Sequence, residues 1–313
     1  MAINGNVLMA EDGVAYNFLK KGKVKDVYTS PDGQELLFDF TNRISVFDKV
    51  IPSQVPRKGE AICRGTAYWL IKMKDAGICD TEYIGMVSPS RMKVKKADVM
   101  KKPTRRTDSY FIPAEFICRY YAAGSLIDRM KDGKIKPEEV GLDHIPKSGE
   151  KLPEPLFEAT TKFEKFDRPL SMRETLKLTG LTYREYEGIK EATIKIDDVI
   201  AREVGQRGLI HADGKKEFAF TEGRNLMIVD TFGTGDEDRF WDKKAHEENG
   251  TTVEVSKELV RQYYKQTGYH ASLMEARKVG APEPEIPALP DEMVQKTSEL
   301  YIQLHKMLTG EEL

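Results

Sequence analysis

Long apolar runs, net charge and cysteine are all scarce in this 313-residue chain. Its apolar stretches stay short of the roughly 18 residues that a membrane-spanning helix needs. The 49 basic and 51 acidic residues leave a formal charge of −2, which argues against a nucleic-acid or membrane-surface binder. We therefore expect neither nucleic acid nor a membrane among its partners.

Cysteine usage and the first residues both favour a cytoplasmic location. Cys63, Cys79 and Cys118 are odd in number and widely spaced, without a Cys-x-x-Cys pair. We interpret Cys63 and Cys118 as buried, inert thiols. Met1–Ala10 has neither the basic cluster nor the apolar segment of a secretory signal. The five histidines lack ligand spacing, which argues against a structural zinc site.

The common nucleotide and hydrolase motifs are also missing. The sequence contains no G-x-x-x-x-G-K-[ST] and no G-x-G-x-x-G, so it offers neither a P-loop nor a dinucleotide fingerprint. It also lacks a G-x-S-x-G nucleophile elbow. Any chemistry must therefore depend on polar residues at the ends of apolar strands.

The N-terminal third is rich in strands. Val24–Tyr28 and Glu35–Phe40 are predicted strands, joined by a turn around Pro31-Asp32-Gly33. Apolar residues recur every three or four positions from Glu60 to Gly77, which indicates a helix. Phe111–Arg119 is a further strand-like segment.

The remainder alternates between loops, strands and helices. The proline content of Lys147–Pro169 predicts an ordered loop or crossover, and Thr182 with Glu185 predicts a capping box opening a long helix. Asp291 begins a final amphipathic helix. Three short strands separated by turns at Asp213-Gly214 and Glu222-Gly223 are expected to form a meander: Leu209–Ala212, Glu217–Phe220 and Leu226–Val229. Together these elements predict an α+β enzyme.

The first polar group lies at the start of a strand. Gly22 allows close backbone approach to a ligand, and alternation places Lys23 and Lys25 on one side. Two ammonium groups on one face suit a polyphosphate. An exposed strand start explains this segment equally well.

The second polar group lies around the strand-like segment that ends at Arg119. Glu115 and Arg119 are an even number of residues apart, so they share one face of that strand. If Ser125 begins a helix, its hydroxyl and the first free N–H groups form an anion site beside Arg119. This pattern favours a phosphate-bearing small molecule, although a strand-edge arginine beside an ordinary cap remains the alternative.

The third polar group combines Asp213, Lys215 and Glu217 with Asp230, which directly follows a strand. Carboxylates at the ends of neighbouring strands are suited to chelating Mg²⁺ bound to ATP. Turn formation explains Asp213 adequately, but it explains Glu217, which lies among apolar residues, poorly.

In this order, the polar segments resemble the phosphoribosylaminoimidazole-succinocarboxamide synthase (SAICAR synthetase) family. The similarity runs from about Gly22 to Trp241. The matching segments are Lys21–Tyr28, Asn42–Asp48, Arg119–Ser125, Leu152–Phe157 with Thr160–Lys162, Gly208–Ile210 with Asp213–Phe218, and Asp230 with Asp236 and Arg239–Trp241. Six segments in one order make the resemblance specific.

The resemblance implies an ATP-dependent carbon–nitrogen ligase of purine biosynthesis. It would join carboxyaminoimidazole ribonucleotide (CAIR) to L-aspartate through an acyl phosphate, with ADP and phosphate released. The implied fold has an N-terminal, mostly antiparallel ATP-binding domain like the kinase small lobe, here residues 1–110. A larger α/β domain with a C-terminal helical extension would span residues 111–313. A homo-oligomer is possible within this family.

The resemblance also implies roles for individual residues. ATP would be bound by Gly22, Lys23, Lys25, Glu217 and Asp230, and Mg²⁺ by the last two. Lys215, Asp213 and Glu217 would form the catalytic group. The remaining implied residues are substrate-binding: Asp48 and Glu115 near the imidazole and its carboxylate, Arg119, Ser125 and Arg239 on the ribotide phosphate, and Lys162 and Asp167 at the aspartate.

Several positions depart from the residues usual in the family, among them Thr231, Glu237 and Asp238. They leave a second hypothesis open, namely an ATP-using paralogue with another amine acceptor. A nucleotide-binding regulatory protein without turnover is the third.

Overall fold

The computed structural model describes residues 7–10, 13–164, 167–255 and 257–313. Residues 1–6, which belong to the segment searched for a secretory signal, lie outside the described residues. The strands are β1 (Val7–Met9), β2 (Ala15–Lys21), β3 (Lys25–Thr29), β4 (Glu35–Phe40), β5 (Arg43–Val46), β6 (Lys49–Gln54), β7 (Asp80–Thr81), β8 (Tyr83–Ser88), β9 (Arg91–Lys95), β10 (Tyr110–Phe111), β11 (Ala114–Tyr121), β12 (Lys151–Thr161), β13 (Pro169–Leu170), β14 (Leu209–Thr221), β15 (Asn225–Val229) and β16 (Asp238–Asp242). The helices are α1 (Lys58–Asp75), α2 (Ser125–Lys131), α3 (Met172–Thr179), α4 (Tyr183–Gly205), α5 (Lys243–Asn249), α6 (Glu258–Gln266), α7 (Tyr269–Val279) and α8 (Asp291–Thr309).

The chain forms two compact units, which differ from the predicted domains. The first unit comprises residues 1–67, 83–96 and 254–313, and the second comprises residues 68–82 and 97–253. The C-terminal helices therefore group with the N-terminal strands. The boundary between residues 110 and 111 stays a prediction about domains. No helix within the described ranges is long and apolar enough to cross a membrane.

The first unit contains an antiparallel sheet with strand order β1-β2-β3-β4-β9-β8. The predicted hairpin is confirmed, since Val27 of β3 lies opposite Phe38 of β4. Alternate side chains point to opposite faces of a sheet, and the buried ones here include Leu8, Tyr16 and Leu37 in one apolar cluster. Alternation between apolar and polar positions thus lets the apolar side chains of this sheet pack together.

The second unit contains a larger sheet with strand order β13-β12-β11-β14-β15-β7, and β10 and β16 also pair with β14. Helix α4 buries an apolar face that includes Ile189, Ile196 and Ile200. The three helices expected from the sequence are confirmed as α1, α4 and α8. The presence of both helices and strands confirms the α+β class. Helix α5 is capped by the Asp242 side chain, which accepts a hydrogen bond from the Ala245 N–H.

The predicted meander is wrong in its first half. Residues 209–221 form one continuous strand, β14, rather than two strands with a turn at Asp213-Gly214. Both turn-forming residues are held extended because β14 pairs on both sides: Asp213 lies opposite Arg119 of β11 and Arg239 of β16. The second turn is confirmed, since Glu222–Arg224 separates β14 from β15.

The predicted loop over Lys147–Pro169 is also wrong, because Lys151–Thr161 within it forms strand β12. The prolines that favoured a loop, Pro153 and Pro155, lie where the register between β11 and β12 shifts. A missing proline N–H costs little at such an irregularity.

The capping box at the start of α4 is confirmed and extended by an arginine. Thr182 Oγ accepts a hydrogen bond from the Glu185 N–H at 3.2 Å, and Glu185 Oε2 accepts one from the Thr182 N–H at 2.7 Å. Arg224 donates to Glu185 at 2.6 and 3.0 Å, and it also donates to the carbonyls of Thr107 and Gly180. Burial raises the pKa of Glu185, but the hydrogen bonds from Arg224 and Thr182 prevail and lower it to about 2.

We expect Glu185→Gln to lower the free energy of unfolding by about 2 kcal/mol at pH 7. A carboxylate whose pKa is depressed in the folded state stabilises the fold above its unfolded pKa of about 4.3. This contribution is lost as the pH falls from about 4.3 towards 2, so the variant's deficit should shrink in acid. Urea unfolding at pH 7 and pH 3 measures the change, with Glu191→Gln on an exposed position of α4 as the control. An equal deficit at both pH values would contradict the assignment.

Candidate active site

Two paired strands bring five of the predicted site residues onto one face. In the β11–β14 pair, Arg119 lies opposite Asp213 and Ile117 lies opposite Lys215. Opposite residues share a face, as do residues two apart on one strand. Glu115 and Arg119 therefore face the same side as Asp213, Lys215 and Glu217. The shared face predicted for Glu115 and Arg119 is observed.

Two lysines and four carboxylates meet on this face. Lys162 Nζ lies 3.2 Å from Glu115 Oε1 and 2.5 Å from Glu217 Oε1, and Lys215 Nζ lies 2.9 Å from each of the same two atoms. Lys162 also lies 3.7 Å from Asp230 Oδ2, and Lys215 lies 3.1 Å from Glu237 Oε2. We call this group the lysine–carboxylate cluster: Glu115, Lys162, Lys215, Glu217, Asp230 and Glu237.

Burial and mutual charge set the protonation states in the lysine–carboxylate cluster. Burial raises the pKa of Glu115, and the nearby Glu217 raises it further against the opposing effect of Lys215. Burial lowers the pKa of Lys162 and Lys215, but Glu217 and the other carboxylates prevail, so the pKa of both lysines is raised. Both lysines therefore stay charged at neutral pH.

One oxygen of this cluster is left without a partner. Both lysines contact Oε1 of Glu217, whereas its Oε2 is buried and has no hydrogen-bond partner within the described ranges. Asp230 nearby has a left-handed backbone (φ 64°), and its N–H donates to Glu82 Oε1 at 2.7 Å. A buried carboxylate oxygen without a donor is suited to a cation. The predicted neighbourhood of Glu217 and Asp230 is observed.

Arginines form a second group on the same sheet. Arg119 donates to Glu158 at 2.8 Å and to Asp213 at 2.9 Å. Arg239 donates to the same Asp213 oxygen at 2.5 Å, and Arg129 lies 2.6 Å from Glu158. We call Arg119, Arg129, Glu158, Asp213 and Arg239 the arginine cluster. Arg129, on α2, and Glu158, on β12, were not predicted; the prolines of β12 hid the alternation that places Glu158.

Ser125 begins α2 but does not cap it. Gly124 is the cap residue, with a backbone φ of 53°, and no side-chain cap is made there. A Cβ at Gly124 would lie 2.9 Å from Arg239 Nη2, so a glycine lets the guanidinium approach the chain. Ser125 Oγ instead accepts a hydrogen bond from Arg119 Nη2 at 3.5 Å. The serine thus begins a helix and adjoins the arginine cluster, whereas the alternative of an ordinary N-cap is wrong.

Other predicted residues lie in the first unit. Lys23 Nζ contacts Asp48 Oδ1 at 2.8 Å, and both side chains are more than half exposed (58% and 56%). Lys25 Nζ lies 3.8 Å from the centre of the Phe38 ring. The Gly22 N–H donates to the Lys25 carbonyl at 2.8 Å, and a Cβ at Gly22 would lie 2.6 Å from that oxygen. This tight turn explains the glycine.

In the second unit, Asp167 is exposed and pairs with neither cluster among the described residues. Its predicted contact with aspartate stays a prediction.

A buried charge cluster behind the sheet was missed by sequence reasoning. Lys216 Nζ contacts Asp238 Oδ2 at 2.8 Å and also contacts Asp197 of α4. His211 Nε2 lies 2.8 Å from the same Asp238 oxygen. We call Asp197, His211, Lys216 and Asp238 the buried charge cluster. Its one sequence signal is a charged residue, Asp197, directly beside the apolar stripe of α4.

The fold is shared with solved SAICAR synthases. The SAICAR synthase of Saccharomyces cerevisiae in complex with SAICAR matches this fold with a TM-score of 0.75 at 21% sequence identity. The alignment covers 100% of this chain and 98% of that chain. A SAICAR synthetase (Type-2) in complex with ADP has a TM-score of 0.67 at 21% identity, covering 94% and 98%. At these identities the similarity establishes the fold.

Sequence comparison establishes the family. The model of the SAICAR synthetase family matches residues 18–276. The phosphoribosylaminoimidazole-succinocarboxamide synthase of Thermoplasma acidophilum is 53% identical over 293 residues, covering 94% of this chain and 98% of that protein. The chain therefore belongs to the SAICAR synthetase family, which confirms the resemblance found in its polar segments.

We expect Lys162→Met to lower the free energy of unfolding by about 3 kcal/mol, because it leaves Glu115 and Glu217 with one lysine between them. Denaturant unfolding at pH 7 measures the loss. Lys177→Met is the matched control, since Lys177 is exposed on α3 and should change stability by less than about 0.5 kcal/mol. Equal effects of the two substitutions would show that the lysine–carboxylate cluster does not depend on Lys162.

Proposed function

We propose that this protein joins CAIR to L-aspartate at the expense of ATP, releasing ADP and phosphate, as a ligase of purine biosynthesis. One observation supports this most directly: the arginine cluster and the lysine–carboxylate cluster share one face of β11 and β14. Arginines suit a phosphate-bearing substrate, and lysines with carboxylates suit phosphoryl transfer. Membership of the SAICAR synthetase family supports the same reaction.

The reaction needs activation of a carboxylate. A carboxylate is a poor acylating agent, so its oxygen first attacks the γ-phosphorus of ATP, and ADP leaves. The amine of aspartate then attacks the acyl carbon, the C–O bond to phosphate breaks, and inorganic phosphate departs. Such chemistry depends on positioning and charge neutralisation rather than on a nucleophile from the protein.

The arginine cluster would bind the ribotide phosphate. Arg119 and Arg239 both contact Asp213, and Ser125 lies beside Arg119. Burial lowers the pKa of Arg119, but Asp213 and Glu158 prevail and raise it, so the guanidinium stays charged. A phosphate placed here would accept charge-assisted hydrogen bonds from donors that are already oriented.

The remaining substrate roles are assigned by chemistry. Glu115 and Asp48 would contact the imidazole and its carboxylate. Lys162 and Asp167 would orient the carboxylate and amine of aspartate, which carry opposite charges. Of these two residues, Asp167 is exposed.

Phosphoryl transfer needs positive charge around the phosphates of ATP. In the first unit, the Gly22 turn with Lys23 and Lys25 would bind ATP phosphates. In the second unit, Lys215 would neutralise charge on the transferring phosphoryl group. Glu217 and Asp213 complete this catalytic group by keeping Lys215 and Arg119 charged and oriented.

The residues present fit a magnesium ion. Carboxylate oxygens are the ligands that Mg²⁺ prefers, and Glu217 supplies a buried oxygen without a hydrogen-bond partner among the described residues. Glu217 and Asp230 would hold the ion. When bound, Mg²⁺ would supply positive charge that offsets the charge of the ATP phosphates.

A paralogue with another amine acceptor remains the second candidate. The observation that favours it is the contact of Glu237 with Lys215, since this acid departs from the usual family residue and lies inside the lysine–carboxylate cluster. Thr231, which also departs from the usual family residue, donates to Asp230 Oδ1 at 3.1 Å. A regulatory protein without turnover is the third candidate.

We also propose a cytoplasmic location, because the cysteines are free thiols. A homo-oligomer is part of the same proposal.

We expect ADP release to require CAIR and L-aspartate together with ATP. The assay measures ADP with both substrates, with each singly, and with CAIR plus other amines. Turnover with a different amine in place of aspartate would favour the paralogue. ATP binding without ADP release under any of these conditions would favour the regulatory protein and contradict the ligase.

We expect Glu217→Gln to reduce Mg²⁺-dependent kcat by at least about a hundredfold, because the amide carries no charge to hold the ion. The rate is measured as a function of Mg²⁺ concentration, together with the shift of Tm by Mg²⁺ and ADP. Glu222→Gln, an exposed acid just beyond the same strand, is the matched control. A normal rate of the Glu217 variant at low Mg²⁺ would disprove its role in binding the metal.

A further inference from the structure

The buried charge cluster lies on the opposite side of β14 from the candidate active site. Lys216 follows Lys215 in the chain, so alternation directs the two ammonium groups to opposite faces. Its partners come from α4 (Asp197), from β16 (Asp238) and from β14 itself (His211). Tyr120 of β11 donates to Asp197 Oδ2 at 3.2 Å. All the charged groups of the cluster are fully buried.

A metal ion does not explain this cluster. Asp197, His211 and Asp238 offer ligand atoms within 4.8 Å of one another, as a metal site requires. However, Lys216 Nζ contacts both carboxylates, so the chain itself supplies the cation at their centre. Burial lowers the pKa of Lys216, but Asp197 and Asp238 prevail and raise it, which keeps the ammonium charged. The cluster is an internal ion pair network.

Asp238 connects this network to the active-site face. Its neighbours in the chain point the other way: Glu237 contacts Lys215, and Arg239 contacts Asp213. Asp238 Oδ1 also accepts a hydrogen bond from the Gly233 N–H at 2.9 Å, and the Asp238 N–H donates to the Thr234 carbonyl at 2.8 Å. One carboxylate thus closes the 233–238 loop and attaches the start of β16 to β14.

Gly214 makes this attachment possible. It lies opposite Asp238 in the β14–β16 pair, and a Cβ there would overlap the Asp238 carboxylate and the Lys216 ammonium. The space that a side chain would take is used by the ion pair. The backbone next to Asp213 is therefore fixed by contacts behind the sheet.

We propose that Asp238, anchored by Lys216 and His211, is a positioning residue that orients Arg239 for the ribotide phosphate. The inference rests on the proposed function, in which Arg239 binds that phosphate. Arg239 immediately follows Asp238, so a shift of the start of β16 would move its guanidinium away from Asp213 and Arg119. Small displacements of a binding group cost affinity for the group it binds and leave other substrates unaffected.

The first experiment compares steady-state constants of the wild type and Asp238→Asn. We expect the KM for CAIR to rise on the order of tenfold, while kcat and the KM values for ATP and aspartate stay within about twofold. If the buried charge cluster serves stability alone, Asp238→Asn should lower Tm and leave the KM for CAIR unchanged. That result would overturn the proposal.

Arg239→Ala separates this proposal from the proposed function. If the KM for CAIR is unchanged in Arg239→Ala, the phosphate role of Arg239 fails, and the positioning role fails with it. If it rises in Arg239→Ala and not in Asp238→Asn, only the positioning role fails. If Asp238 acts through Arg239, Asp238→Asn should add nothing to the KM in the Arg239→Ala background; additive effects would overturn the proposal.

Two double variants keep the test decisive if Asp238→Asn does not fold. Lys216→Met/Asp238→Asn and Lys216→Met/Asp197→Asn each remove one cation and one carboxylate, so the charge removed is matched. Only the second retains Asp238 with its His211 and Gly233 contacts. We expect the larger rise in the KM for CAIR in the first. Equal KM values at similar Tm would overturn the proposal.

Discussion

Strand β14 carries charged side chains on both faces, and each face needs partners from other elements. Asp213, Lys215 and Glu217 face the two polar clusters, whereas Lys216 faces Asp197 of α4. Removing one partner of a buried ion pair costs about 3–5 kcal/mol. The strand is therefore stable only where neighbouring strands and α4 deliver opposite charges at matching positions. Site and fold depend on the same pairings.

This constraint also explains how the arginines are prepared for a ligand. Asp213 contacts both Arg119 and Arg239, and Glu158 contacts both Arg119 and Arg129. Each carboxylate thus bridges two guanidinium groups that would otherwise repel each other. The donors keep their charge and direction before any substrate arrives, and catalytic sites gain most from groups that need no reorganisation. The carboxylates serve as permanent counterions of these guanidinium groups.

Local signals predicted much of the fold, and long-range pairing explains the errors. The β3–β4 hairpin and the α4 capping box follow from neighbouring residues, so the sequence was sufficient for both. The prediction of a turn at Asp213-Gly214 was wrong because the strands on either side of β14 hold those residues extended. Pro153 and Pro155 hid β12 and therefore Glu158. Alternation placed Glu115 with Arg119 correctly, but nothing local shows that a residue of α4 meets a lysine on β14.

Gly214 carries a consequence for how this strand can change over time. A side chain there would collide with the pair formed by Lys216 and Asp238, and neither partner of that pair can be lost alone without leaving a buried charge. Lys216 and Asp238 can therefore be replaced only together, and a side chain at position 214 becomes possible only after both have changed.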